Sequence, residues 1–225
     1  MKPIRTYLLA LLLLAGCAGA PPPPPSATPV DTGAAWYQKA ARDGVKVYRI
    51  DAAQSLITIT VRRGGALARL GHDHVVASRT LEGFVAPDAG RADFHFRLDQ
   101  MTVDEAGLRS AAGLDTQPSP DAIEGTRTNM LTRVLEAESY PVVLLHAERV
   151  GTAPSVRLTV TLHGVSRSVD VPTTVERTKA TLTASGELRL LQTDFGITPM
   201  SVMGGAMTVQ DPMELTFRIV ANAPR

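Results

Sequence analysis

From about Val45 onward, apolar and polar residues alternate with a period of two, the pattern of strands that bury one face. In Leu56 to Arg62, the residues Ile57, Ile59 and Val61 share one side, and Thr58, Thr60 and Arg62 share the other. Phe94, Phe96 and Leu98 oppose His95, Arg97 and Asp99, and Val143, Leu145 and Ala147 oppose Leu144, His146 and Glu148. Leu158, Val160 and Leu162 oppose Arg157, Thr159, Thr161 and His163. Leu182, Ala184, Gly186, Leu188 and Leu190 make one long face, and Met213, Leu215, Phe217 and Ile219 make another. With Val45 to Ile50, Thr80 to Val85 and Ser168 to Val171, the pattern predicts about eight or nine strands joined by turns. Such a chain is all-β, with an antiparallel sheet long enough to close into a barrel.

Two stretches break the alternation. Asp104 to Arg109 suits a short helical turn. Ser119-Pro120-Asp121 is a helix-start signal for Ala122 to Ala137, in which Met130, Val134 and Leu135 recur at helical spacing before Pro141 blocks extension. This single helical insertion is expected to pack against, or plug, one end of the barrel.

The register assigns Ile57, Ile59, Phe94, Phe96, Leu145, Val160, Leu188 and Phe217 to the interior. Ala147, Ala184 and Gly186 on the same faces would leave room there. A barrel of eight strands either packs solid or holds one ligand. A lipid tail would gain ~0.8 kcal/mol for each CH₂ removed from water.

The N-terminus has its own logic. Lys2 and Arg5 precede an apolar run from Tyr7 to Leu14, which ends in Leu14-Ala15-Gly16-Cys17. The run is far shorter than the ~20 residues of a membrane-spanning helix, so residues 1–17 read as a secretory signal. Leu-Ala-Gly-Cys resembles the bacterial lipobox, in which the cysteine is acylated and becomes the mature N-terminus. Ala18 in place of Asp resembles the signal for the outer membrane of a Gram-negative envelope. This predicts a periplasm-facing lipoprotein held in the membrane by Cys17. Residues 18–44 follow as a linker opened by Pro21 to Pro25, a polyproline II rod that holds a domain off the surface. Trp36 to Arg42 reads as a short amphipathic turn or as the tail of that linker. The barrel domain is then 45–225.

Composition narrows the function further. Lys and Arg total 23 against 22 Asp and Glu. Nucleic acid is excluded as a partner, because its binding needs a basic face. The single cysteine excludes an internal disulfide framework and a four-thiolate metal site. No cofactor is implied.

One cluster has chemical potential, the segment Gly71-His72-Asp73-His74. Two imidazoles at i and i+2 of an extended segment could share a metal with a third ligand, or Asp73 could fix the tautomer of a neighbouring histidine. The blander reading is hydrogen bonding at the barrel rim, and another is contact with a ligand head group. A third metal ligand from His95, His146 or His163 is disfavoured, since all three alternate with apolar residues and face outward. Asp93, Arg97, Asp99, Glu187 and Arg189 read as solvent-face charges.

Several segments together resemble a known family. Tyr48-Arg49-Ile50-Asp51 with Ser55 is similar to the opening of the YceI-like, polyisoprenoid-binding lipocalin-type proteins. Leu135-Glu136-Ala137-Glu138-Ser139-Tyr140-Pro141, the hairpin Leu162-His163-Gly164-Val165 and the turn Asp194-Phe195-Gly196-Ile197 resemble further motifs of that family, in the same order. The resemblance implies a closed barrel with an elongated apolar interior holding a polyisoprenoid or another long-chain lipid. Two segments depart from it: the helix reads Thr126-Arg127-Thr128-Asn129-Met130-Leu131, and the loop from Gly64 to Val76 is enlarged. A tunnel for an apolar tail must end where a polar head meets water. His72, Asp73 and His74 are therefore expected at that mouth, near Arg127 and Asn129. The leading expectation is a non-enzymatic lipid-binding lipoprotein. The alternatives are a metal-binding or metal-dependent hydrolytic protein using His72 and His74, and a structural envelope barrel without ligand.

Overall fold

Among the described residues, twelve strands form one antiparallel sheet. In chain order they are β1 (Tyr48–Ile50), β2 (Leu56–Gly64), β3 (His74–Ser78), β4 (Glu82–Ala86), β5 (Arg91–Arg97), β6 (Thr102–Val103), β7 (Val142–Arg149), β8 (Ser155–Leu162), β9 (Val165–Arg177), β10 (Thr181–Leu191), β11 (Ser201–Val202) and β12 (Met207–Asn222). The computed structural model describes residues 32–224. Cys17, the signal and the proline run lie outside the described residues.

The long strand β12 closes the sheet. Along one edge it pairs with β10, and along the other with β2 and then β1. β1 also pairs with β4, and β2 with β3, so β1/β2 and β3/β4 act as two bent staves. β5, β7, β8, β9 and β10 complete a ring of eight back to β12. The ring is a closed antiparallel barrel of the lipocalin type, and closure removes the free edges that an open sheet would expose. Between Val209 and Met213 the β12–β2 register shifts. Pro212 lies within that shift, where its missing N–H costs no ladder bond.

Local chemistry explains the turns and caps. His163 and Gly164 both have positive φ (52° and 73°), giving the two-residue turn that suits a tight hairpin between β8 and β9. A Cβ on Gly164 would also lie 2.8 Å from a ring carbon of Tyr140. Helix α1 spans Ala34–Arg42, α2 spans Ala106–Ala111 and α3 spans Pro120–Asn129. Ser119 caps α3 by accepting the Ala122 N–H at 3.2 Å, with Pro120 in the first turn.

Four readings of the sequence are corrected here. The enlarged loop ends earlier than Val76, because His74–Ser78 is strand β3. Val75, Val76, Ala77 and Ser78 are all buried, so the segment has no alternation to reveal it. The insertion is α-helical only to Asn129 and widens into a π turn at Met130–Val134, rather than running as one helix to Ala137. Trp36 to Arg42 belongs to helix α1, whose Tyr37 is buried against the barrel, so the packed unit reaches back past residue 45.

Asp93 is the fourth correction, since it is covered rather than solvent-facing. Tyr37 stacks on Phe84, with ring centroids 5.3 Å apart, and donates its hydroxyl to Asp93 Oδ2 at 2.8 Å. Arg91 Nε donates to the same oxygen at 2.6 Å, and His146 Nδ1 lies 2.6 Å from Oδ1. Burial opposes the charge on Asp93, but the bonds from Arg91, His146 and Tyr37 outweigh it and hold the carboxyl below its ordinary range. Burial, then the bond to this carboxylate, pushes the Tyr37 hydroxyl strongly up. The other named pairs are exposed, as Arg97–Asp99 illustrates.

Candidate functional site

The barrel encloses an elongated cavity of about 400 Å³. Its wall follows from strand geometry, since alternate residues of each stave point inward. Ile57 and Ile59 come from β2, Phe94 and Phe96 from β5, Leu145 from β7, Val160 from β8, Leu188 from β10 and Phe217 from β12, and all eight line the cavity. Ala147 and Ala184 line it too and leave the space expected of them. Gly186 does not: a Cβ there would lie 2.8 Å from Phe217 Cζ, so the Phe217 ring fills its space.

Polar lining is confined to the two ends. At one end, the last turn of α3 and the π turn bring Thr126, Asn129, Met130 and Val134 over the opening, beside His74, Gln192 and Met200. At the other end stand Pro87, Arg149, Thr173 and Val175. Arg149 is engaged there, donating to the Pro87 carbonyl at 2.6 Å. An apolar wall with a few convergent polar groups is the ordinary make-up of a small-molecule site.

The structure separates the residues expected at the mouth. His74 and Asn129 line the cavity, whereas His72, Asp73 and Arg127 do not. Asp73 accepts the Arg63 backbone N–H at 2.8 Å and lies 3.5 Å from the Arg62 guanidinium. Arg127 donates to the Asp99 carbonyl at 2.6 Å. The His72 ring lies 6.3 Å from that of His74, and its Nδ1 is buried without a partner among the described residues.

His74 is held by two residues that no local pattern singled out. Its Nδ1 lies 2.6 Å from Asp104 Oδ2. Asp104 Oδ1 accepts the Val75 N–H at 3.0 Å and Arg109 Nη1 at 2.6 Å. Arg109 is 1% exposed and also donates to the carbonyls of Asp73, at 2.8 Å, and Thr116. Burial works against the Asp104 charge, but the bonds from His74, Val75 and Arg109 prevail and lower its pKa. The only sequence hint was the short helical turn that carries Arg109.

The three other histidines are occupied elsewhere or lie on the outer wall. His146 is shared between Asp93 and Glu148, and His95 alternates with the inward Phe94 and Phe96. His163 Nδ1 lies 3.3 Å from the Phe195 carbonyl, and its ring packs 4.4 Å from that of Tyr140. The Tyr-Pro, His-Gly and Asp-Phe-Gly segments, far apart in the chain, therefore meet at one place. Among the described residues no group of three His, Cys, Asp or Glu side chains could hold a metal ion.

Comparison with known proteins places this geometry. The family model of the YceI-like domain matches residues 48–221. A polyisoprenoid binding domain from Saccharophagus degradans, implicated in plant cell wall breakdown, is similar with a TM-score of 0.57 at 16% identity, over 79% of this chain and 98% of that one. BcnA of Burkholderia cenocepacia is similar with a TM-score of 0.51 at 14% identity, over 76% of this chain and 99% of that one. At such identities the likeness carries the fold. No curated protein matches the chain.

Proposed function

From the premise that the chain belongs to the YceI-like family, we propose that it binds one long-chain lipid of the polyisoprenoid type in the barrel lumen. The observation that carries this reading is the cavity wall, apolar along its length and polar only at its ends. Water in such a space finds few partners, whereas an apolar tail gains ~0.8 kcal/mol per buried CH₂. The lining has no activated nucleophile beside a base, which supports binding and carriage rather than catalysis. The polyisoprenoid binding named for the Saccharophagus degradans domain supports the same ligand class.

The anchor belongs to the same proposal. Leu14-Ala15-Gly16-Cys17 would attach the chain to the bacterial outer membrane through an acylated Cys17, with the barrel facing the periplasm. Native mass spectrometry of the full chain, purified from bacterial membranes, tests the lipid. A stoichiometric long-chain lipid mass is expected, and a bare chain in every preparation would overturn the reading.

A further inference from the structure

The tunnel's polar end has a defined hydrogen-bonding sense. Asp104 is an ionised carboxylate and can only accept, so the 2.6 Å contact obliges His74 Nδ1 to carry the proton. In the uncharged ring, Nε2 is then a bare lone pair. That atom has no hydrogen-bond partner among the described residues, and the ring that bears it lines the tunnel. The orientation is rigidly supported, because Asp104 is gripped in turn by the Val75 N–H and by buried Arg109. Arg109 also pairs with the Asp104 carboxylate, donating Nη1 to Oδ1 at 2.6 Å. No Lys or Arg lines this end, where the other polar lining groups are Thr126, Asn129 and Gln192.

We infer that His74 Nε2 is a hydrogen-bond acceptor for the head group of the bound lipid, and that it selects a head carrying a hydroxyl. This rests on the lipid reading above and goes beyond it by assigning the polarity of the recognised group. An ether or ester oxygen would face lone pair to lone pair at Nε2. A phosphate would find no Lys or Arg lining this end to offset its charge. A hydroxyl satisfies an acceptor that has no partner among the described residues, and a site built to hydrogen-bond a ligand hydroxyl rejects the analogue that lacks it. Asp104 and Arg109 act as positioning residues, since they reach the ligand only through the ring.

The test compares three probes with one isoprenoid tail: farnesol, farnesyl methyl ether and farnesyl phosphate. Each competes with 1-N-phenylnaphthylamine for the full chain in phosphatidylcholine nanodiscs, with empty nanodiscs as the partition blank. Farnesol is expected to bind about fivefold more tightly than the ether, the size of one neutral hydrogen bond. His74→Phe should erase that difference while still binding the ether, and His74→Gln, which keeps an acceptor, should restore part of it. If His74→Phe does not fold, ¹⁵N NMR of the wild-type chain decides. The His74 Nε2 resonance should move on adding farnesol and stay still with the ether, and an unmoved resonance overturns the inference. Equal binding of alcohol and ether, or strongest binding of the phosphate, overturns it while leaving the lipid reading intact. If neither dye nor any farnesyl probe enters, the lipid reading itself falls and this inference with it.

Discussion

The Phe217 ring lies against Gly186, its partner across the β10–β12 ladder, with Phe217 Cζ 2.8 Å from where a glycine Cβ would stand. The same Cβ would come within 2.7 Å of the Pro172 carbonyl oxygen. Gly186 is therefore the floor under an inward aromatic ring, and the lumen's width at that level depends on both residues.

Gly186→Ala is expected to cost about 1–3 kcal/mol through overpacking, less the few tenths that alanine returns by restricting the unfolded chain. Urea denaturation reads the cost. Phe217→Leu added to Gly186→Ala should relieve the ring clash but leave the Pro172 contact. The double variant should then be more stable than the sum of the singles by about 0.5 kcal/mol or more. Strict additivity would show that the ring moves aside freely.

Leu188→Trp places a large side chain on the cavity wall in the second half of β10. The expected outcome is a folded barrel, destabilised by ~1–3 kcal/mol, that has lost its lipid mass in native mass spectrometry. A folded Trp variant that still carries the wild-type lipid would place the ligand elsewhere.

The clasp around Asp93 predicts acid sensitivity. Asp93 and Asp104 both have pKa values below those of the unfolded chain, ~3.9 for an aspartate. Their contribution is thus fully present above the unfolded value and is lost as pH falls through the lower folded values. The urea midpoint should fall steeply below about pH 4. Asp93→Asn should flatten part of that fall.

Tyr37→Phe keeps the stacking on Phe84 and removes the bond to Asp93. The loss should be about 1.5–3 kcal/mol, the range for a hydrogen bond to a charged group. If α1 is held by this clasp, proteolysis should cut the Tyr37→Phe chain near residues 34–42 sooner than the wild type. Unchanged cleavage would assign the hold to the aromatic stacking alone.

Cys17→Ser should move the chain from the membrane pellet and detergent phase to the soluble fraction, as expected once thiol acylation is blocked. Retention of the variant in membranes would assign the anchorage to another segment.

Period-two alternation is a local property: whichever strands end up as neighbours, residues i, i+2 and i+4 share a face. The sequence by itself therefore determined that Ile57 and Ile59, Phe94 and Phe96, or Leu145 and Ala147 would act together, and the hydrophobic effect sent those faces inward. Closure, capping and the pairing of charges depend on residues far apart in the chain. β3 was hidden because a strand covered on both sides shows no alternation, and Asp93 looked exposed because its cover, Tyr37, comes 56 residues earlier. Asp104 and Arg109 stood in the sequence only as the ends of a short helical turn, yet both are buried. The reason is energetic: a buried ion pair is tolerated only when partners from several segments satisfy it together. Only the tertiary structure brings His74, Val75 and Thr116 to that pair, and only there does His74 acquire a fixed orientation at the tunnel's end.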